Sequence, residues 1–161
     1  MFVTVDDRLY FLSALARVAK DLAWHVLAVC LMGNHYHLVV ETPENNLVEG
    51  MHLLKTRVTI RFNRVHGTTG HVYERRFNSV PVESQEYFEH LLGYVALNPV
   101  RAGLCERPQD WPWSSYGQVL RGERSIVDVR RLFERLGVDG DDPLAAYRRG
   151  IDTAAKRVWA R

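Results

Sequence analysis

The sequence predicts an α+β fold, in which helical segments accompany an antiparallel pair of strands. Residues 24–32 are almost continuously apolar, which is typical of a central strand covered on both faces. After the tight turn expected at Gly33 and Asn34, apolar and polar residues alternate through residue 41, as in a half-buried strand of a hairpin. Several other segments repeat apolar residues at three- and four-residue steps, which is the period of a helix.

Length and composition are those of one ordinary globular domain. The chain has 161 residues, of which 47% are hydrophobic and 25% are charged. It contains no apolar run of about 18 residues, and its start lacks the pattern of a signal peptide. We therefore expect a cytoplasmic protein with no membrane partner. Cys30 and Cys105 lack the spacing of a metal site, which favours reduced thiols.

The first two helices have recognisable boundaries. Either Asp6 or Asp7 can cap the first helix, whose apolar period ends near Leu22. A second helix is predicted from about Leu47 to a point before Gly67.

The second half of the chain predicts a third principal helix and a helical tail. Residues 71–82 look extended, and Ser84 can then cap a helix. This helix should stop near Asn98, because Pro99 disfavours helical geometry in the residue before it. An aromatic turn at residues 111–116 leads into a short helix, and helical patterns recur at residues 132–136 and 144–158.

His35 and His37 are candidate metal ligands. Side chains two residues apart in a strand point to the same face, so both imidazoles would project side by side. Imidazole is a common metal ligand. Taken alone, however, a pair of this kind is more often two ordinary surface or half-buried residues.

Tyr94 and Asn98 supply the complementary chemistry. They are four residues apart and so share one face of the third helix. A tyrosine phenol in line with a phosphorus atom can act as a nucleophile and form a covalent adduct. The amide oxygen of Asn98 could join two imidazoles around a hard divalent ion. Without the histidines, a core-edge aromatic and a helix terminator would be the simpler interpretation.

Basic residues are concentrated between positions 55 and 76, where Glu74 is the single acid. Such density predicts a surface that can hold phosphates, although a solvated helix face is the commoner meaning of a charge run. The residues concerned are Lys55, Arg57, Arg61, Arg64, Arg75 and Arg76.

Three motifs in this order resemble the REP-associated tyrosine transposases, which are single-tyrosine insertion-sequence transposases of the HUH superfamily. They are the histidine motif, the tyrosine motif and the aromatic turn, at residues 31–38, 94–104 and 111–116. The resemblance covers residues 6–120. It predicts a transposase domain over residues 1–120 and a helical C-terminal extension over residues 121–161.

The resemblance implies an activity and a site. It implies that Tyr94 is the nucleophile and that His35, His37 and Asn98 bind Mg²⁺ or Mn²⁺. Family enzymes cut single-stranded DNA beside a hairpin through a 5′-phosphotyrosine, and this transesterification needs no nucleotide cofactor. The basic residues then become expected phosphate contacts, together with Arg101 just past the catalytic helix. Related enzymes include both monomers and homodimers.

The resemblance also implies a ferredoxin-like or RRM-like sheet, in which a strand precedes the first helix. Only residues 2–5 are available there, so we expect this chain to lack the family's first strand, which would leave backbone groups unpaired. Tyr36 stands where the family usually has a plain hydrophobe. Strand alternation turns it away from the metal face and predicts packing, whereas a bolder alternative makes Tyr36 the nucleophile.

Three functions are therefore compared. The leading one is a metal-dependent DNA-cleaving and strand-transferring enzyme that uses Tyr94. The second is a catalytically impaired or domesticated protein that binds a DNA or RNA hairpin without cutting it. The third is a hydrolase acting through metal-bound water, which ranks last because few carboxylates accompany the histidines, Glu41 being the nearest.

Overall fold

The computed structural model of the chain describes residues 1–73, 77–138 and 142–159, with side chains through residue 155. These residues form a two-stranded antiparallel sheet, six α-helices and one 3₁₀ helix, which confirms the predicted α+β class. In chain order the elements are α1 (Val5–Asp21), β1 (His25–Leu31), β2 (Tyr36–Glu41), α2 (Leu47–His66), α3 (Gln85–Arg101), the 3₁₀ helix (Pro108–Asp110), α4 (Ser115–Leu120), α5 (Val129–Leu136) and α6 (Pro143–Trp159).

The chain forms two compact units. One comprises residues 1–25, 33–35 and 41–80, and the other comprises residues 26–32, 36–40 and 81–161. Among the described residues, no helix combines the length and apolar character that crossing a membrane requires. The predicted boundary near residue 120 stays a prediction.

In the first unit, α1 packs against α2, and its start is fixed by a capping box. The Thr4 hydroxyl accepts a hydrogen bond from the backbone N–H of Asp7 at 3.2 Å, while the Asp7 carboxylate accepts one from the backbone N–H of Thr4 at 2.8 Å. The prediction that Asp6 or Asp7 is the N-cap was therefore wrong. Residues 1–4 form no strand, and the Phe2 ring packs edge-on against Phe11.

Trp24 joins the end of α1 to the start of α2. Its indole N–H donates to Oδ1 of Asn46 at 2.6 Å, and Nδ2 of Asn46 donates to the carbonyl of Leu22 at 3.1 Å. Asn46 therefore ties the two helices together and makes no side-chain cap on α2. The indole lies so close to Gly50 that a methyl group there would overlap the ring.

In the second unit, β1 is the buried strand that the apolar run predicted, since six of its seven residues are buried. Its last residue is held by the aromatic turn. The backbone N–H of Leu31 donates to the carbonyl of Trp113, and the indole N–H of Trp111 donates to the carbonyl of Leu31, both at 2.9 Å. The two tryptophans thus pack this turn onto the strand.

The connection between β1 and β2 differs from the expected tight turn. It contains four residues, 32–35, and neither Gly33 nor Asn34 has the positive φ of a two-residue hairpin turn. β2 begins at Tyr36, so His35 belongs to the connection. The alternation argument therefore applies to His37 but not to His35.

α3 continues past its predicted stop at Asn98. Pro99 lies in the last turn, where its missing N–H leaves one backbone hydrogen bond of the helix unmade, but its ring is fully buried. The backbone N–H groups of Ala102 and Leu104 donate to the carbonyls of Asn98 and Pro99, which completes the C-terminal turn. The prediction of a stop before Pro99 was wrong, and the extra turn carries Arg101.

Substitutions of two helical glycines by alanine should have opposite effects on stability. Gly50→Ala should lower the free energy of unfolding by about 1–3 kcal/mol, because its methyl group would overlap Trp24. Gly150→Ala should raise that free energy by about 0.5–1 kcal/mol, because a methyl group in α6 would meet no atom within 4 Å. Urea denaturation measures both. Equal stability of the two variants would contradict the placement of Trp24.

Asp7 predicts an acid-sensitive contribution to stability. Burial alone would raise the pKa of its carboxyl, but hydrogen bonds from His66 and from Thr4 leave that pKa below its ordinary 3.8. A carboxylate with a lowered folded-state pKa stabilises the protein above its unfolded pKa, and this stability is lost as the pH falls through the folded pKa.

We therefore expect Asp7→Asn to cost about 1 kcal/mol at pH 7, the size of a cap contribution, and to lose this deficit below the lowered pKa. Asp6→Asn is the matched control, because Asp6 also lies in the first turn of α1 but is exposed. Urea denaturation from pH 2 to pH 7 follows the difference. A deficit that is independent of pH would refute the assignment.

Candidate active site

Tyr94 lies on α3, in the second unit, with 38% of its surface exposed. Its ring meets the His37 ring of β2 edge-on, with 5.4 Å between centroids and 85° between planes. Helix and strand therefore bring the predicted nucleophile and one predicted metal ligand into direct contact. The phenol remains accessible to a substrate.

Asn98 is oriented by the backbone of the same helix. Its Nδ2 donates to the carbonyl of Tyr94 at 2.9 Å. Only the amide nitrogen can donate, so Oδ1 must point away from that carbonyl. The oxygen that a hard cation would use therefore does not take part in the bond that fixes the side chain.

Arg101 extends the same face of α3. Its guanidinium carbon lies 5.7 Å from the centroid of the Tyr94 ring, a separation typical of a cation–π contact. A permanent positive charge thus accompanies the tyrosine. Guanidinium groups bind phosphate oxygens in a two-pronged geometry, which suits an approaching phosphodiester.

His35 is exposed, and its Nδ1 lies 2.8 Å from Oδ1 of Asn34. An amide oxygen only accepts, so this contact is a hydrogen bond when Nδ1 carries the proton. His35 belongs to the first unit and His37 belongs to the second. The role of His35 as a metal ligand stays a prediction.

Tyr36 is half-buried, and burial raises its pKa to about 12. A phenol that is harder to ionise is a poorer nucleophile. The alternative in which Tyr36 attacks the phosphate therefore loses support, whereas Tyr94 is accessible.

Across the described ranges, no three His, Cys, Asp or Glu side chains gather as a metal site would require. The predicted metal-binding set contains two imidazoles and one amide, so it is not a group of three His, Cys, Asp or Glu side chains. The predicted metal therefore stays a prediction.

Two of the basic residues of α2, Arg57 and Arg61, contact α1 within the first unit. The Arg57 guanidinium lies 3.3 Å from the Asp21 carboxylate, and the Arg61 guanidinium lies 4.8 Å from the centroid of the Tyr10 ring. Both side chains thus connect the two helices. Their predicted phosphate contacts would compete with these partners.

Two further cations of this region can be placed. The Lys55 ammonium lies 4.6 Å from the centroid of the Tyr73 ring, and burial lowers its pKa. Arg64 is exposed on α2. Arg75 and Arg76 lie outside the described residues. Phosphate binding by these four residues stays a prediction.

The sequence analysis did not include α6 in the site. In the structure, Tyr94 opens onto a groove of about 940 Å³ whose second wall is α6, with Arg149 and Thr153 among its lining residues. This packing joins two helices that 41 residues of chain separate, residues 102–142, and a helical period does not reveal such partners. Gly150 and Ala154, small residues one turn apart, were the available signal.

The family is shown by direct comparison. The profile of the family described as "Transposase IS200 like" matches residues 2–98, more than half of the chain. The matched segment includes all four predicted catalytic and metal-binding residues, from His35 to Asn98. The chain belongs to the IS200-like transposase family, which is a family of DNA-processing enzymes.

Relatives with specific names agree with the predicted resemblance. A Haemophilus influenzae protein, provisionally named REP-associated tyrosine transposase, is 27% identical over 124 residues, or 70% of each chain. The Escherichia coli K12 REP-associated tyrosine transposase is 23% identical over 68% of this chain and 65% of its own length.

A solved structure confirms the fold class. A REP-associated tyrosine transposase, solved bound to a REP hairpin, superposes with a TM-score of 0.59. It is 19% identical in sequence, and the match covers 76% of this chain and 73% of the other. The expected resemblance to REP-associated tyrosine transposases is confirmed.

Proposed function

We propose that this protein is a single-tyrosine transposase that cuts and rejoins single-stranded DNA beside a hairpin. The observation that carries the proposal is the edge-on contact between Tyr94 and His37, which sets an accessible phenol against a candidate metal ligand. The hairpin substrate is supported by the related transposase that was solved with a REP hairpin.

The proposed step exchanges one phosphodiester for another. The Tyr94 oxygen, losing its proton, attacks the scissile phosphorus, and the bond from phosphorus to the 3′ oxygen breaks. A 5′-phosphotyrosine forms, and the leaving 3′ oxygen takes up a proton. Attack by a 3′-hydroxyl reverses the step, so no nucleotide cofactor is consumed. Arg101 would hold the phosphate beside the phenol.

We also propose Mg²⁺ or Mn²⁺ as the cofactor, held by His37, Asn98 and His35. Support comes from the His37 contact with Tyr94 and from Oδ1 of Asn98, which takes no part in the bond that orients its side chain, while His35 is included from its sequence position. When bound, such an ion polarises a phosphate oxygen.

Tyr94→Phe tests the nucleophile. Wild-type protein mixed with Mn²⁺ and a labelled pool of single-stranded hairpins with unpaired flanks should give a covalent adduct on a denaturing gel. Tyr94→Phe should give none, because its ring lacks the attacking oxygen. Tyr87→Phe is the matched control, since Tyr87 lies on the same helix and is 37% exposed.

An adduct that persists in Tyr94→Phe would place the nucleophile elsewhere. Hairpin binding by the wild type without any adduct would favour the alternative of a hairpin-binding protein that does not cut. These two outcomes are distinguishable on the same samples, because a native gel reports binding and a denaturing gel reports the adduct.

His37→Ala tests the metal site. Titration calorimetry with Mn²⁺ should show affinity reduced at least about tenfold, because an imidazole ligand is lost. His52→Ala, an exposed substitution on α2, should leave affinity unchanged. Equal Mn²⁺ affinity in wild type and His37→Ala would refute the ligand assignment, and an adduct that survives chelation would refute metal dependence.

A further inference from the structure

The groove beside Tyr94 is formed by two closely packed helices of the second unit. Gly93 on α3 faces Ala154 on α6 so closely that a methyl group at Gly93 would overlap Ala154. Gly150, one turn earlier on α6, has open space where a side chain would stand, and it also lines the groove. A polymer strand could therefore lie close to the α6 backbone here.

Charge is distributed unevenly along this groove. Two arginines line it, Arg101 from α3 and Arg149 from α6, and both are exposed. Two carboxylates, Glu86 and Glu89, line it near the N-terminal end of α3. Phosphates would be repelled from the acidic part and attracted to the arginines.

We propose that Arg149 is a second phosphate-binding residue of the site, which holds with Arg101 the backbone of the single strand that passes over Tyr94. This inference rests on the proposed function and adds a residue of α6 to it. A guanidinium from each wall can grip the backbone in the two-pronged geometry suited to phosphate. The Thr153 hydroxyl, also in the groove, can donate to a phosphate oxygen.

The neighbouring arginine provides the matched control. Arg148 is exposed like Arg149, but it lies outside the groove lining and 4.0 Å from the Asp152 carboxylate. Replacing either residue by alanine removes the same charge from adjacent positions. A difference between the variants therefore reports on the groove rather than on net charge.

The test measures binding of fluorescent oligothymidylate by anisotropy at several salt concentrations. Phosphate contacts are independent of sequence, so no target hairpin is needed. Arg149→Ala should bind several-fold more weakly and lower the salt slope by about 0.7, the value for one contact to a single strand. Arg148→Ala should stay within about twofold of wild type. Equal losses in both variants, or no binding by wild type, would overturn the proposal.

A second variant distinguishes the effect of filling the groove from the effect of removing a positive charge. Gly150→Phe should fill the groove without changing net charge and should also weaken oligothymidylate binding, whereas wild-type binding by this variant would contradict a strand in the groove. These measurements require no cleavage. A wild type that binds through Arg149 but forms no adduct would refute the proposed chemistry and keep the phosphate site.

Discussion

The buried backbone of β1 is the constraint on which the second unit depends. A strand with six buried residues must find partners for its peptide groups within the protein. Pairing with β2 meets part of that need. Two later residues meet another part. The Ser115 hydroxyl accepts a hydrogen bond from the backbone N–H of Val29 at 3.0 Å, and the backbone N–H of Asp128 donates to the carbonyl of Val26 at 2.9 Å. The pairing with β2 therefore both satisfies part of the β1 backbone and fixes β2, and with it His37.

The arrangement around Tyr94 follows from one helix face. Positions 94, 98 and 101 recur at helical spacing, and they place a phenol, an amide and a guanidinium along one side of α3. The third group is available only because the helix runs through Pro99. Burial of that ring offsets the backbone bond that proline cannot make, so packing extends the reactive face by nearly a turn.

Local signals predicted much of the fold, and contacts between distant segments account for most of what they missed. The apolar run gave β1, and Gly67 ended α2 as expected because a left-handed residue there terminates the helix. The cap at Thr4 was missed because two aspartates offered equivalent chemistry. The stop at Asn98 was wrong because the steric preference of Pro99 was overridden by its burial. The tyrosine and His37 were brought together as the motifs implied, whereas α6 carries no motif.

Charge illustrates the same limit. By composition, the basic stretch over residues 55–76 looked like the phosphate surface, yet Arg57 and Arg61 contact α1. Arg149 stands in an unremarkable tail, but the fold places it in the groove with Tyr94. A formal net charge of +2 supplies little long-range attraction, so a strand would be held by a few guanidinium groups at short range. The role of a basic side chain in this protein is thus determined by the groups that it contacts after folding. The number of basic residues along a stretch of sequence does not reveal those contacts.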